Sequence, residues 1–275
     1  PPSLPPPTNR GPRNAYRYGA TLEYNQGDLW LVGAQDSNDV SVYEYPEATY
    51  DNSATVHRND DFRYNKMMEA FAHGGKMYVS GSEGVYEMPP DGSSPIRVYE
   101  RGYDSSSYHS EASVSSNGTM YVFDYNHIDV HYLESGEDLG QTISPPRADS
   151  NEFQLAVSPA GVLSAADWRS TGDPSTTGWY VYEWDGSSWS GTLVHSETDE
   201  GYSYYRQAEY IIDPSGGQHL AYLNRAGDLR YLTDSTSSDG TWTLEHSYST
   251  GEMVTHKYGG MAMEVTDDGD VHILF

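Results

Sequence analysis

A glycine turn between two alternating, strand-like segments recurs six times along the chain, and this repeat constrains the fold more than any other feature. The six turns are Asn25-Gln26-Gly27-Asp28, His73-Gly74-Gly75-Lys76, Ser116-Asn117-Gly118-Thr119, Pro159-Ala160-Gly161, Ser215-Gly216-Gly217-Gln218 and Asp267-Asp268-Gly269-Asp270. They follow one another at intervals of roughly 43 to 56 residues. Alternating apolar and polar residues closed by Gly, Asn or Asp are typical of β-hairpins. The sequence therefore predicts a series of hairpins.

Two further strands extend most of these hairpins. An aromatic residue marks a third strand in five units, at Tyr43, Tyr86, Tyr132, Tyr182 and Tyr231. Polar segments such as TVHR, IRVYE, GTLVHSE and WTLEHSY predict a fourth strand. Four short strands in every 40 to 50 residues or so indicate propeller blades. A sandwich does not normally repeat its own sequence six times, and a solenoid has shorter coils.

We therefore predict an all-β protein, a β-propeller of about six four-stranded blades with an incomplete last blade, or seven blades if the chain is a fragment. Residues 1–15 are predicted to form a Pro-rich linker or tail, and residues 16–275 a single propeller domain. The expected blades are approximately 16–62, 63–104, 105–150, 151–200, 201–251 and 252–275. Because the last unit ends after two strand-like segments, a second chain or segment completing it is an expected partner.

The charge balance excludes some functions and suggests an environment. There are 41 acidic residues against 15 Lys and Arg, for a net charge of −26. Nucleic-acid binding is not expected, because it requires a basic surface. There are no cysteines and no apolar run long enough to span a membrane. An acidic surface suits a secreted or extracytoplasmic protein, including one from a marine or high-salt environment.

Calcium capture by exposed carboxylates is an open alternative explanation of the acidic composition. No loop has the spacing of an EF-hand, D-x-[DN]-x-[DN]-G-x₅-E. The sequence therefore predicts no required cofactor and leaves calcium open.

A candidate binding site follows from the loop positions in a blade. The glycine turn joins the first two strands at one face, so the loops between the second and third strands and the connections between blades share the other face. The basic, aromatic and polar residues predicted there to bind substrate are Arg17, Arg63, Tyr64, Lys66, Tyr125, Asn126, Trp168, Arg169, Tyr204, Arg206 and Lys257. Arg binds carboxylate or sulfate in a bidentate manner, and aromatic faces suit sugar rings. The alternative is structural pairing of these residues with acidic neighbours.

The fifth unit carries a family resemblance. The segment IIDPSGGQHLAYLNRAGDLRYLTDSTSSDGTWTLEHS resembles the BNR or Asp-box repeats of secreted bacterial propellers, and EWDGSSWSGTLVHSE in the fourth unit carries the same D-G-x-x-W element. The resemblance implies a propeller fold. It does not define an activity, because such blades occur in sialidases, lyases and lectin-like binders.

A second resemblance suggests an activity. The segments HSEASVSSNGTMYVFDYNH and YYRQAEYIIDPSGGQHLAYLNR are similar in placement to parts of propeller polysaccharide lyases that degrade ulvan. That family uses His and Tyr as base and acid and an Arg to neutralise the uronate carboxylate. The resemblance implies His109, His127, Tyr205 and Arg225 as catalytic residues. β-Elimination needs such groups, because the proton next to a carboxylate becomes acidic only when the negative charge is neutralised.

Two functions remain open at this point. The first is a carbohydrate-active propeller that acts on an anionic polysaccharide by β-elimination at a uronate, with one site over the central channel. The second is a non-catalytic propeller that binds glycans or another protein. The site residues differ from blade to blade, which favours a single asymmetric site. A sialidase is less well supported, because Glu209 and Tyr210 fall on opposite faces of one strand. His219 is expected to have a structural role.

Overall fold

The structure is a computed structural model that describes most of the repeat region. The described residues are 20–25, 28–34, 39–45, 55–58, 69–81, 84–89, 93–100, 111–124, 127–146, 154–197, 208–224, 226–235, 240–249, 261–266 and 268–274. Within these ranges every regular element is a β-strand. None of the described elements is a helix that could cross a membrane.

The first three blades are antiparallel meanders of four strands each. Blade I has β1 (Ala20–Asn25), β2 (Asp28–Ala34), β3 (Asp39–Tyr45) and β4 (Thr55–Arg58). Blade II has β5 (Glu69–His73), β6 (Lys76–Gly81), β7 (Gly84–Met88) and β8 (Ile96–Glu100). Blade III has β9 (Ala112–Val114), β10 (Thr119–Asp124), β11 (His127–Tyr132) and β12 (Glu137–Ile143).

The last three units continue the same order. Blade IV has β13 (Gln154–Val157), β14 (Leu163–Arg169), β15 (Gly178–Trp184) and β16 (Trp189–Ser196). Blade V has β17 (Ala208–Ile212), β18 (Gln218–Leu223), β19 (Asp228–Thr233) and β20 (Thr243–Ser249). Unit VI is a two-stranded sheet of β21 (Ala262–Val265) and β22 (Val271–Leu274).

The innermost strands form a closed ring. Each first strand contacts the first strand of the next unit along the chain, and β21 contacts β1. The prediction of an all-β propeller is therefore confirmed. Four four-stranded blades, II to V, are described with their side chains, and blade I by its backbone. The described residues thus hold fewer four-stranded blades than the six or seven predicted, because unit VI contributes only two strands.

The predicted glycine turns share one hydrogen-bonded geometry in units III to VI. The first residue of each turn donates its backbone N–H to the carbonyl of the fifth residue, and its own carbonyl accepts a hydrogen bond from the N–H of the glycine in fourth place. These first residues are Ser115, Ser158, Asp213 and Thr266. The glycine has a positive φ in each case, for example 84° at Gly161 and 93° at Gly216. This geometry matches a three-residue hairpin loop that places glycine in the left-handed region.

The turn of blade V also holds a buried polar network. Asp213 accepts hydrogen bonds from the Ser215 amide (2.8 Å) and the Gly217 amide (2.9 Å), and it lies 3.0 Å from His219 Nε2. The other ring nitrogen of His219 lies 2.7 Å from the Tyr231 hydroxyl. His219 therefore ties the turn to the second and third strands, which is the structural role expected for it.

The hydrophobic core consists of layers between neighbouring blades. Between blades IV and V, for example, the fully buried Trp179 packs against Tyr222 with their ring centroids 5.2 Å apart. Similar clusters lie between blades II and III, III and IV, and V and VI. Burial of apolar area is the main stabilising term in such layers. These layers hold the inner strands in fixed positions around the axis.

Candidate functional site

A layer of polar side chains recurs at one position of the innermost strands. In blades II to V the residue four places before the one that opens the hairpin turn is Glu69, Glu111, Gln154 or Glu209. The same position holds Thr21 in blade I and Ala262 in unit VI. The sequence signal for this inner layer was present in the repeat, but it becomes visible only when the units are aligned on their turns.

Three members of the inner layer are buried although they are polar. The exposed fractions of Glu111, Gln154 and Glu209 are 5%, 7% and 8%. Buried carboxyl and amide groups are costly unless they are paired or neutral. Strand alternation explains the arrangement, because the residues next to them in the chain, such as Ala112, Leu155 and Tyr210, pack in the apolar layers between blades.

Two members of the inner layer are directly linked. Gln154 Nε2 donates a hydrogen bond to Glu111 Oε1 at 3.0 Å, and both groups are buried. The bond joins the inner strand of blade IV to the segment that leads into blade III. Side chains of neighbouring blades therefore meet at the inner edge of the sheets.

Glu209 has the most unusual electrostatic environment of the layer. Burial raises its pKa well above the usual range of a carboxyl group, and the negative charges of Glu111 and Glu264 raise it further. Because Glu111 and Glu264 belong to units III and VI, groups from three units act on one another here. No described residue donates a hydrogen bond to Glu209. The environment therefore favours the neutral form of Glu209, which carries a proton.

His127, a predicted catalytic residue, lies away from this layer. It begins β11, the third strand of blade III, and its Nε2 lies 3.2 Å from Asp129 Oδ2. The same carboxylate accepts a hydrogen bond of 3.3 Å from the Tyr99 hydroxyl of blade II. The His127 side chain is 38% exposed. The structure thus groups His127 with Asp129 and Tyr99, two strands outward from the inner strand of its blade.

Trp168 and Arg169, which are predicted to bind substrate, end strand β14. Trp168 packs against the apolar layer between blades IV and V. Arg169 is exposed, and its guanidinium carbon lies 5.7 Å from the centroid of the Tyr180 ring. An arginine over an aromatic face is a cation–π contact.

The other predicted site residues lie outside the described residues, so their roles stay predictions. They are Arg17, Arg63, Tyr64, Lys66, His109, Tyr125, Asn126, Tyr204, Tyr205, Arg206, Arg225 and Lys257. Several lie close along the chain to the inner layer: His109 is two residues before Glu111, and Arg206 is three residues before Glu209. Within the described part of the chain, no group of three or more His, Asp or Glu residues could hold a metal ion.

Comparison with solved structures supports the fold. An α-L-arabinofuranosidase from Fusarium graminearum has a TM-score of 0.56 and 9% identity, with 94% of this chain and 88% of that chain covered. An α-L-arabinanase from Penicillium chrysogenum, complexed with arabinobiose, has a TM-score of 0.51 and 12% identity, covering 94% and 89%. A calcium-binding protein, regucalcin, from Agrobacterium tumefaciens has a TM-score of 0.53 and 12% identity, covering 90% and 78%.

These likenesses show that the chain has a β-propeller fold. They support the propeller part of the resemblance described from the sequence, whereas the BNR-type and ulvan-lyase parts stay predictions. No protein-family model matches the chain, and the search of curated proteins gave no match.

Proposed function

We propose that this chain is a carbohydrate-active propeller that cleaves glycosidic bonds at the inner layer, with Glu209 as the acid and Glu111 as its partner carboxylate. The observation that carries the proposal is the state of Glu209: a buried carboxyl group, favoured in its neutral form, beside two other glutamates. Breaking a glycosidic bond requires a group that protonates the leaving oxygen and a carboxylate that acts on the anomeric carbon or on water. Two carboxyl groups in different environments suit these two tasks.

The solved structures lend support at the level of substrate class. Two of the similar propellers are an arabinanase bound to arabinobiose and an arabinofuranosidase bound to an iminosugar. Since the identities are 12% and 9%, these likenesses show only the fold. Arabinan and aryl arabinofuranosides are therefore the first substrates to test.

The β-elimination predicted from the sequence is a second candidate reaction on a polysaccharide substrate. It would use His109, His127, Tyr205 and Arg225 on a uronate-containing polymer. The two reactions leave different products: hydrolysis creates a new reducing end, whereas elimination also creates an unsaturated uronate that absorbs ultraviolet light. The two reactions can be distinguished in one reaction mixture by measuring reducing ends and ultraviolet absorbance.

Several expectations accompany the proposal. We propose a ring of six units and a location outside the cytoplasm, because a polysaccharide is too large to cross a membrane. The reaction at the inner layer requires no cofactor. Calcium is the ion to test, because regucalcin is described as calcium-binding. Chelation is expected to leave catalysis by the glutamates intact.

The test is a polysaccharide panel of arabinan, neutral glucans, pectin, alginate and ulvan, assayed for reducing ends and for unsaturated uronate. We expect Glu209→Gln and Glu111→Gln each to lower kcat by about 100- to 10,000-fold, because each removes one proton-transfer group. Glu137→Gln, an exposed position on β12, is the matched control and should keep full activity.

Three results would contradict the proposal. Full activity of Glu209→Gln would exclude Glu209 as the acid. Unsaturated uronate as the main product would favour elimination. Glycan binding without turnover on every polymer would identify a binding protein instead.

A further inference from the structure

Gln154 differs from its equivalents in the inner layer. The corresponding residues of blades II, III and V are Glu69, Glu111 and Glu209, whereas blade IV supplies an amide. Its Nε2 donates to Glu111 Oε1 at 3.0 Å, with both residues more than nine-tenths buried. A carboxyl group at this position would place an acidic group in contact with Glu111 instead of a donor.

The amide donor of Gln154 affects the protonation state of Glu111. An ionised carboxylate only accepts hydrogen bonds, so an amide N–H that points at it favours the charged form. A hydrogen bond that a buried donor makes to a charged carboxylate is also stronger than one between neutral groups. Gln154 therefore biases Glu111 towards the carboxylate.

Glu209 is buried like Glu111, but its neighbours are different. The strands that flank β17 in the ring are β13, which brings the neutral Gln154, and β21, which brings Glu264. Glu111 adds a second negative charge from blade III. On the far side of β9 the neighbouring inner strand β5 brings Glu69. No described group donates to Glu209, so negative neighbours and burial both oppose its ionisation.

We infer that Gln154 is a positioning residue that divides the roles of two like side chains, keeping Glu111 as the base and leaving Glu209 as the acid. This inference rests on the proposed function. In the step, the Glu209 O–H proton moves to the glycosidic oxygen as the bond from that oxygen to the anomeric carbon breaks. A water oxygen bonds to the anomeric carbon, and the proton released by the water moves to Glu111. One water molecule is consumed. Exchange with solvent then returns a proton to Glu209 and removes the proton from Glu111.

The test uses two substitutions in the full chain. Gln154→Met keeps the approximate side-chain volume and removes the donor, whereas Gln154→Glu keeps the shape and adds an acid. Carbon-13 NMR titration of the glutamate δ-carboxyls, assigned with Glu111→Gln and Glu209→Gln, reports each group without any substrate. Thermal melting shows whether each variant is folded, and Glu137→Gln is again the control.

We expect Gln154→Met to move the Glu111 titration, and the acidic limb of the kcat/KM profile, to higher pH by about one unit, with kcat reduced roughly tenfold. Gln154→Glu should shift both in the same direction. If neither substitution moves the Glu111 titration in a folded variant, Gln154 is only structural and the inference is overturned.

The two proposals fail in different ways. A shifted titration in a protein that hydrolyses nothing would support the role of Gln154 towards Glu111 and contradict the proposed function. An active enzyme whose Glu111 titration and pH profile do not respond to either substitution would retain the function and contradict the division of roles. If Gln154→Met does not fold, Gln154→Leu, which also lacks the donor, takes its place, because the added charge of Gln154→Glu moves the Glu111 titration by itself.

Discussion

At the scale of single residues, this chain uses one side-chain type for different tasks by changing its surroundings. Glu111 and Glu209 are both buried, but Glu111 accepts a hydrogen bond from Gln154 whereas Glu209 faces the negative charges of Glu111 and Glu264. Asp213, near the opposite end of the inner strand of blade V, is a third case. The free-energy difference between the two protonation states depends on donors, burial and neighbouring charges rather than on the residue name.

Asp213 gives a pH-dependent prediction. Burial raises its pKa, but hydrogen bonds from Ser215, His219 and Gly217 outweigh burial, and the pKa is lowered overall. A lowered pKa contributes stability that is present above the unfolded value near 4 and is lost as the pH falls through the folded value. We expect Asp213→Asn to lower the unfolding free energy by about 1–3 kcal/mol at pH 7.

Urea unfolding of both proteins from pH 7 down to pH 3 checks this. The difference between wild type and Asp213→Asn should shrink as the wild-type carboxylate becomes protonated. A difference that stays constant over this range would show that the charge of Asp213 does not contribute. Asp138→Asn, at an exposed position on β12, is the matched control.

At the scale of elements, glycine has two separate functions in these hairpins. Gly161 has a φ of 84° in a turn with open space where a Cβ atom would lie. Gly178, which begins β15, has a φ of 156°, and a Cβ atom there would overlap the His195 carbonyl of the neighbouring strand. The first glycine permits a backbone conformation, and the second permits a close approach of two strands.

These two glycines should respond differently to alanine. Gly161→Ala is expected to cost about 1 kcal/mol, because only the left-handed conformation is disfavoured. Gly178→Ala should cost several-fold more, because the fourth strand of blade IV must move as well. Thermal melting of the two variants compares them directly. Equal losses of stability would contradict the distinction.

The sequence predicted the elements well and the inner layer poorly. Alternation and glycine turns depend on neighbours in the chain, so the hairpins and the outer strands such as β8 and β20 lie where their residues suggested. The meeting of Glu111, Gln154 and Glu209 depends on how separate blades pack around the axis, which no local pattern contains. Along the chain Glu209 is next to Tyr210, whereas its electrostatic partners Glu111 and Glu264 lie in other units.

At the scale of the whole molecule, the ring closes between β21 and β1 by contact of inner strands. The hydrogen-bonded ladders stay within single sheets, and β21 pairs only with β22 among the described strands. A two-stranded sheet has little stability of its own, so unit VI depends on packing against its neighbours. Among the described strands, closure at this point therefore uses no shared hydrogen-bonded ladder.

This arrangement predicts the order of local opening. Amide hydrogen exchange followed by mass spectrometry should show faster exchange in β21 and β22 than in β13 and β14, the inner strands of a four-stranded blade. Blade IV, which carries the fully buried Trp179, is the internal control. Equal protection of the two pairs of strands would contradict the prediction and show that the ring opens as one unit.

Alternation along the inner strands separates the residues that pack the blades together from the residues that carry polar groups. Residues that hold the blades together and residues that carry polar groups occupy neighbouring places in the chain but different sides of the strand. A substitution in the inner layer can therefore alter reactivity while the apolar packing stays intact. Ala262, which occupies the equivalent place in unit VI, is a natural position for introducing a new acid or amide by design. The equivalent position of each inner strand can therefore be substituted separately, one blade at a time.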